Sequence, residues 1–145
     1  MYQELYGPHT GHLEHAESRD VNPYLDKFLQ LERGENGSEV VLNPSGPMCS
    51  GRDGYVHFSI VATVAEEAAW QAIGDEHAVP SSISISLLRP AHITGGEIVG
   101  SGEVLKNGRQ VISSCGYAYQ GGKLLAHVTV SFVHFEKDPQ KINGI

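Results

Sequence analysis

The chain has 145 residues and a net charge of −7 at pH 7, with ten basic and seventeen acidic residues. That length corresponds to one domain able to bury roughly two-thirds of the surface its unfolded form exposes, so folding requires neither disulfides nor a metal. The Lys and Arg residues are scattered along the chain, which excludes the clustered cationic face of a nucleic-acid binder.

The opening MYQELYGPHTGHLEH lacks an apolar segment, and no run approaches membrane-spanning length, so a soluble cytoplasmic protein with no membrane partner is expected. Residues 1–21 read as a polar N-terminal arm. His9, His12 and His15 recur every three residues, but no carboxylate is placed to orient them and no metal is expected. A domain over residues 22–136 and a loose tail over 137–145 follow. In VNPYLDKFLQL, Asn22 is a plausible N-cap and Pro23 a first helical residue, with Leu25, Phe28 and Leu29 on one face. LQLERGENGSEVVLN then reads as two strands around a Gly/Asn turn, and NPSGPMCSGRDG as an irregular loop. Cys49 in that loop and Cys115 in a later strand read as reduced thiols; a bridge is open to them but not indicated.

The central segment is HFSIVATVAEEAAWQAIG, a helix over 57–74 stopped by Gly74. Its apolar residues occur all round, as in a helix wrapped by a sheet. It also carries two acids, Glu66 and Glu67, and a carboxylate there either reaches water at an edge or sits at a site, because burying it unpaired costs several kcal/mol. Everything after the helix reads as strand. In PSSISISLLRP, Ile83, Ile85 and Leu87 alternate with serines. EIVGSGEVLK and RQVISSCGYAYQ are joined by Asn107-Gly108, and the second of these is joined to KLLAHVTVSFVHF by Gly121-Gly122. Leu124, Ala126, Val128, Val130 and Phe132 make one apolar face of the last strand. The four strands read as an antiparallel meander, and the class as α+β, a sheet around one long helix. The uncovered outer face and edge predict at least a dimer.

This order of elements, with particular residues, resembles the hotdog-fold acyl-CoA thioesterases of the hydroxybenzoyl-CoA and phenylacetate-catabolism types. In that family a Gly-x-x-His-Gly-Gly loop leads into the helix, and an Asp or Glu follows nine residues after the His. Gly54, Tyr55, Val56 and His57 match the first half, and Glu66 falls at the ninth residue. The stretch SISLLRPAHITGGEIVGSGEVLKNGRQVISSCGYAYQGGKLLAHVTVSF is similar to the family's later half, and NPYLDKFLQLE to its opening helix and first strand. The likeness covers about residues 22–134. Phe58 and Ser59 stand where the family has two glycines.

The resemblance implies a hotdog fold and hydrolysis of a small or medium acyl-CoA or acyl-carrier thioester by a homodimer or dimer of dimers. Coenzyme A then enters as part of the substrate, with no separate cofactor. Glu66 would act as general base or nucleophile, leaving Glu67 for a salt bridge or a helix edge. The helix N-terminus near Phe58 and Ser59 would polarise the thioester carbonyl. Those residues lie about 10 to 12 Å along the axis from Glu66 at 1.5 Å per residue, so a shared site takes the two from different chains. His57 reads either as a group orienting carbonyl or water or as a helix cap, and Ser59 as a catalytic or an N-terminal hydrogen-bonding residue. Gly54 and Phe58 shape the approach to the helix. Ser81 and Ser82 read as water-binding or as solvent-facing strand serines. Arg89, Lys106 and Arg109 are candidates for the CoA phosphates or solvated strand-end charges, and Trp70 is core or an acyl-pocket wall. Two other readings remain: a hotdog hydroxyacyl-thioester dehydratase or hydratase, suggested by EEAAWQA, and a non-catalytic acyl-CoA-binding protein, which Phe58-Ser59 permits.

Overall fold

Residues 27–34, 39–75 and 77–134 are described by a computed structural model of the protein. The N-terminal arm with its three histidines, Asn22, Pro23 and Leu25 of the opening helix, the turn at 35–38 and the C-terminal tail lie outside the described residues. The end of the opening helix, at residues 27–29, buries Leu29 and stops at Gln30, whose backbone is left-handed with φ 53°. Phe28, expected on the same buried face as Leu29, is 40% exposed instead, as one residue's 100° rotation dictates.

The strands are β1 (Glu32–Arg33), β2 (Glu39–Leu42), β3 (Ala78–Leu87), β4 (Ile98–Asn107), β5 (Val111–Gln120) and β6 (Lys123–His134), and a 3-10 turn at Gly46–Met48 followed by the long helix α1 (Phe58–Ile73) lies between β2 and β3. All pairings are antiparallel, in the order β1-β2-β4-β5-β6-β3. The expected four-strand meander is therefore corrected: β4, β5 and β6 form one, but β3 pairs with β6 at the far edge. Hydrophobic alternation marks a strand's faces without naming its neighbours. The chain leaves α1 onto that edge, and residues 88–97 carry it to β4 on the other side of the meander.

Helix and sheet meet along a seam of small residues. A Cβ at Gly116 would overlap the Ala65 carbonyl, and one at Gly102 the Ala68 carbonyl. Ser114 seals the seam by donating from Oγ to Ala69 O at 2.9 Å. Val61, Val64, Ala65, Ala68 and Ala69 pack there on Ile98, Ile112, Val128, Val130 and Phe132, all buried. In β6 a register shift between Ala118 and Tyr119 puts Leu125 in the core, where Leu124 was expected; a bulge inverts the alternation at one residue.

The helix is not buried all round. Its 100° steps set Val64, Glu67 and Gln71 on the flank facing β4 and β1, where Gly100 meets Val64 and Arg33 meets Glu67. Glu66, Trp70 and Ile73 lie on the opposite flank, toward β6 and β3; the Trp70 ring sits 6.4 Å from that of Phe132, packed against the core. Beyond this flank, Ile83, Ile85 and Leu87 share the inner face with Val130, Val128 and Ala126 but remain about half exposed. The helix covers β4 to β6 and stops short of the edge strand.

Candidate active site

Two loops fix the start of α1. Gly54 has φ +77°, and a Cβ there would lie 2.8 Å from Nε2 of His92, so only glycine lets the strands of these loops close. His92 ties them together: Nε2–H donates to Asp53 O at 2.7 Å, while Nδ1 accepts from Thr94 N–H at 3.1 Å and meets the Thr94 hydroxyl at 2.8 Å. Gln120 continues the lock, accepting from His92 N–H and donating to His92 O and Gly96 O. Gly54 is thus a packing position in this chain. His92 escaped sequence reasoning, although His-x-Thr is a pattern whose side chains can close a local turn.

His57 is the N-cap of α1: Nδ1 accepts from Ser59 N–H at 3.2 Å and lies 2.7 Å from Ser59 Oγ. Accepting at Nδ1 places the proton of neutral imidazole on Nε2. The cap occupies the Ser59 amide, so of the two N–H groups expected to be free, Phe58 N–H alone has no acceptor among the described residues. The Phe58 ring is exposed and lies 4.5 Å from that of His57, tilted by 31°. It walls a cleft of about 300 Å³ with Val56, Val61, Leu87, Leu88, Arg89, Pro90 and Ala91. The cleft is apolar except for Arg89, whose Nη1 donates to Leu124 O at 3.1 Å.

Glu66 does not line this cleft. The two acids have separate environments. Glu67 is 1% exposed, and its Oε2 lies 2.7 Å from Arg33 Nη2; Arg33 also donates to Gln71 Oε1 at 3.1 Å, and Gln71 Nε2 donates to Glu39 O at 3.3 Å. Glu66 is half-buried on the flank facing β3. Burial above all, then the neighbouring carboxylate of Glu67, push Glu66 from 4.5 up to about 8, against a smaller downward pull from Arg33. Near Glu66 on the same flank, the buried Trp70 Nε1–H has no acceptor among the described residues.

The remaining predicted residues are dispersed. Ser81 sits at a register shift in β3, its Oγ donating to Ser131 O at 3.0 Å, and Ser82 pairs with Ser131. Both are exposed near the start of the edge strand, away from the cleft at its end. Lys106 and Arg109 flank the β4–β5 hairpin, at the opposite end of the sheet from Leu87 and Ala126. One chain therefore assembles His57, Phe58, Ser59 and Arg89, and sets Glu66 apart. Arg33 and Gln71 were missed; the signal was that a buried helix acid requires a cation, and that Glu67 and Gln71 share a helix face at i, i+4. Cys49 and Cys115 are free thiols. Among the described residues no cluster of three or more His, Cys, Asp or Glu is placed to hold a metal ion, and no helix is long and apolar enough to cross a membrane.

The architecture is the hotdog fold, and the solved structures it is similar to include thioesterase-superfamily and phenylacetate-degradation proteins. A Bacillus halodurans protein solved with CoA is 28% identical, with a TM-score of 0.66 over 77% of this chain and 76% of that one. A phenylacetic acid degradation protein, PaaI, from Thermus thermophilus is 18% identical, with a TM-score of 0.67 over 77% of this chain and 98% of that one. A putative thioesterase related to phenylacetic acid degradation, from Ralstonia eutropha, is 18% identical, with a TM-score of 0.65 over 77% and 89%. No protein-family model matches the chain, and no curated protein does.

Proposed function

We propose that the protein is a cytoplasmic acyl-CoA thioesterase that hydrolyses a small or medium acyl-CoA or acyl-carrier thioester as a homodimer or dimer of dimers. The observation that carries this reading is the division of labour between the two helix acids: Glu67 is consumed by Arg33, while Glu66 stays on the open flank beside an unpaired strand edge. The CoA bound to the Bacillus halodurans protein supports the substrate class.

Among the described residues no strand pairs the outer edge of β3, and Ile83, Ile85 and Leu87 are half exposed, which suits antiparallel pairing with β3 of a second copy. Such a two-fold sets the helices antiparallel and brings the Phe58 amide of one chain toward Glu66 of the other, spanning the 10 to 12 Å that separate them within a chain. The Phe58 N–H polarises the thioester carbonyl. Ionised Glu66 then either takes a proton from water as the water oxygen attacks the carbonyl carbon, or attacks that carbon itself to give a mixed anhydride that water cleaves. In both cases the C–S bond breaks and CoA leaves as a thiolate that is protonated to the thiol, by the proton Glu66 took from water in the first case and by solvent water in the second. Arg89 at the cleft, and Lys106 and Arg109 of the facing chain, are the cations for the CoA phosphates. His57 holds the helix start in register through its cap on Ser59.

Thiol release across a panel of acyl-CoAs, with wild type, Glu66→Ala and Glu67→Ala, tests this. Turnover abolished by Glu66→Ala supports it; turnover lost in the Glu67 variant alone overturns the assignment. Tight binding without turnover in wild type favours the non-catalytic reading that Phe58 suggests, and hydration of an enoyl thioester favours the dehydratase.

A further inference from the structure

Much of the wall of the cleft beside Phe58 comes from two irregular segments: Val56 precedes α1, and Leu88, Arg89, Pro90 and Ala91 follow β3. Two backbone bonds join the segments, Val56 N–H to Ala91 O at 2.9 Å and Ile93 N–H to Gly54 O at 2.8 Å. Between these rungs His92 adds a side-chain bond, Nε2–H to Asp53 O at 2.7 Å. Gln120 of β5 holds the His92 backbone, accepting from its N–H at 2.9 Å and donating to its carbonyl at 2.7 Å. We propose that His92 is a positioning residue: seated on β5 by Gln120, it fixes through Asp53 the segment that presents the Phe58 amide to the cleft. The proposal rests on the reading that this amide and cleft receive the thioester.

The partners of the ring determine its form. Asp53 O can only accept, so Nε2 carries a proton; Thr94 N–H can only donate, so Nδ1 carries none. One nitrogen thus closes a turn two residues long within its own segment, while the other reaches 39 residues back to the approach to α1. Gly54, next to Asp53, has no side chain to stiffen that approach, so its hydrogen bonds must select one conformation. A displacement of about 1 Å at a reacting group costs up to about 100-fold in rate. The two tasks of the ring separate by side-chain length. Asn places Oδ1 about where Nδ1 stands and closes the same turn, but its amide falls short of Asp53. Gln reaches about as far as Nε2 and can donate to Asp53 O. Phe keeps a ring at the 5.2 Å edge contact with Tyr55 and loses both bonds.

The test compares full-length wild type, His92→Asn, His92→Gln and His92→Phe in kcat and KM for thiol release, and in the backbone 15N order parameters of residues 54–59. The Asn and Phe variants are expected to lower kcat about tenfold or more and to raise KM less than about threefold, because the Phe58 amide acts on the carbonyl as charge develops there. Their order parameters should fall below the value of about 0.85 typical of rigid backbone. His92→Gln should keep kcat within about threefold of wild type and the segment rigid. If His92→Asn does not fold, His92→Phe, which retains the bulk of the ring, is read against Gln in its place. Activity kept by Asn and lost by Gln would assign the ring to the local turn and overturn the proposal. Equal losses in all three variants, or Asn and Phe variants as active and as rigid as wild type, would overturn it too. If no acyl-CoA is turned over by any form, the order parameters decide: a segment loosened in Asn and Phe but rigid in Gln leaves the role of His92 standing while the thioesterase reading falls.

Discussion

Replacing Glu66 with Gln removes a group that resists ionisation in the folded chain, and the consequence for stability has a definite sign. Its folded pKa, raised to about 8 from 4.5, means that the native state favours the protonated form. The stability contributed is fully present below the unfolded value and is lost as pH rises through the folded one. Across that window each pH unit costs about 1.4 kcal/mol. From pH 5.5 to pH 8 the loss approaches about 3 kcal/mol, and partial access of water to the carboxyl reduces it to about 2 kcal/mol. Gln fills nearly the same volume and does not titrate. Urea unfolding at fixed protein concentration measures both forms at the two pH values. Every other titrating group cancels in the difference, so Glu66→Gln should gain about 2 kcal/mol on wild type between pH 5.5 and pH 8. A difference that stays constant would refute the burial argument.

Two further outcomes follow from packing. Gly116→Ala drives a methyl into the Ala65 carbonyl, whereas a methyl at Gly46 meets nothing within 4 Å; thermal denaturation should show a loss of about 3 kcal/mol or outright misfolding for the first and less than about 0.5 kcal/mol for the second. Ile85→Lys places a charge on the inner face of β3, where the side chain is half exposed in the single chain. If the proposed dimer forms through this edge, light scattering should report dimer for wild type and monomer for the variant; a variant that remains dimeric would move the interface off this edge.

What could be read before the fold was known follows from which interactions are local. Gly74 as a left-handed helix stop at φ 66°, and the 2.0 period of Ile83, Ile85 and Leu87, need only neighbouring residues, and both appear as expected. The position of β3 beside β6 depends on where the chain goes after α1, and no local period encodes that. The same division holds at the site. Spacing from His57 singled out Glu66, but the occupation of the Ser59 amide by His57 Nδ1 is a matter of one rotamer. The partnership of Glu67 with Arg33 joins residues 34 positions apart. Ser81, Ser82, Lys106 and Arg109 carry chemistry that any solvated strand end also carries, so their residue types could not say which end of the sheet they occupy.

The helix imposes a geometric condition on any chemistry at Glu66. Adjacent residues on a helix diverge by about 100°, so a pair of acids cannot both face one substrate; here one faces β1, where a cation neutralises it, and the other faces the uncovered edge. The open amide of Phe58 and the carboxyl of Glu66 are separated along the axis by more than a thioester carbonyl can bridge. Extending the helix or adding a loop would not shorten that distance. A second helix running the opposite way does, because it presents its beginning where the first presents its middle. The feature that makes β3 a liability in isolation, a long edge with apolar side chains and unpaired backbone, is what allows such a helix to be brought alongside. Under this reading catalysis and assembly depend on the same edge, and a variant that separates the chains abolishes thiol release even with Glu66, Phe58 and the cleft intact.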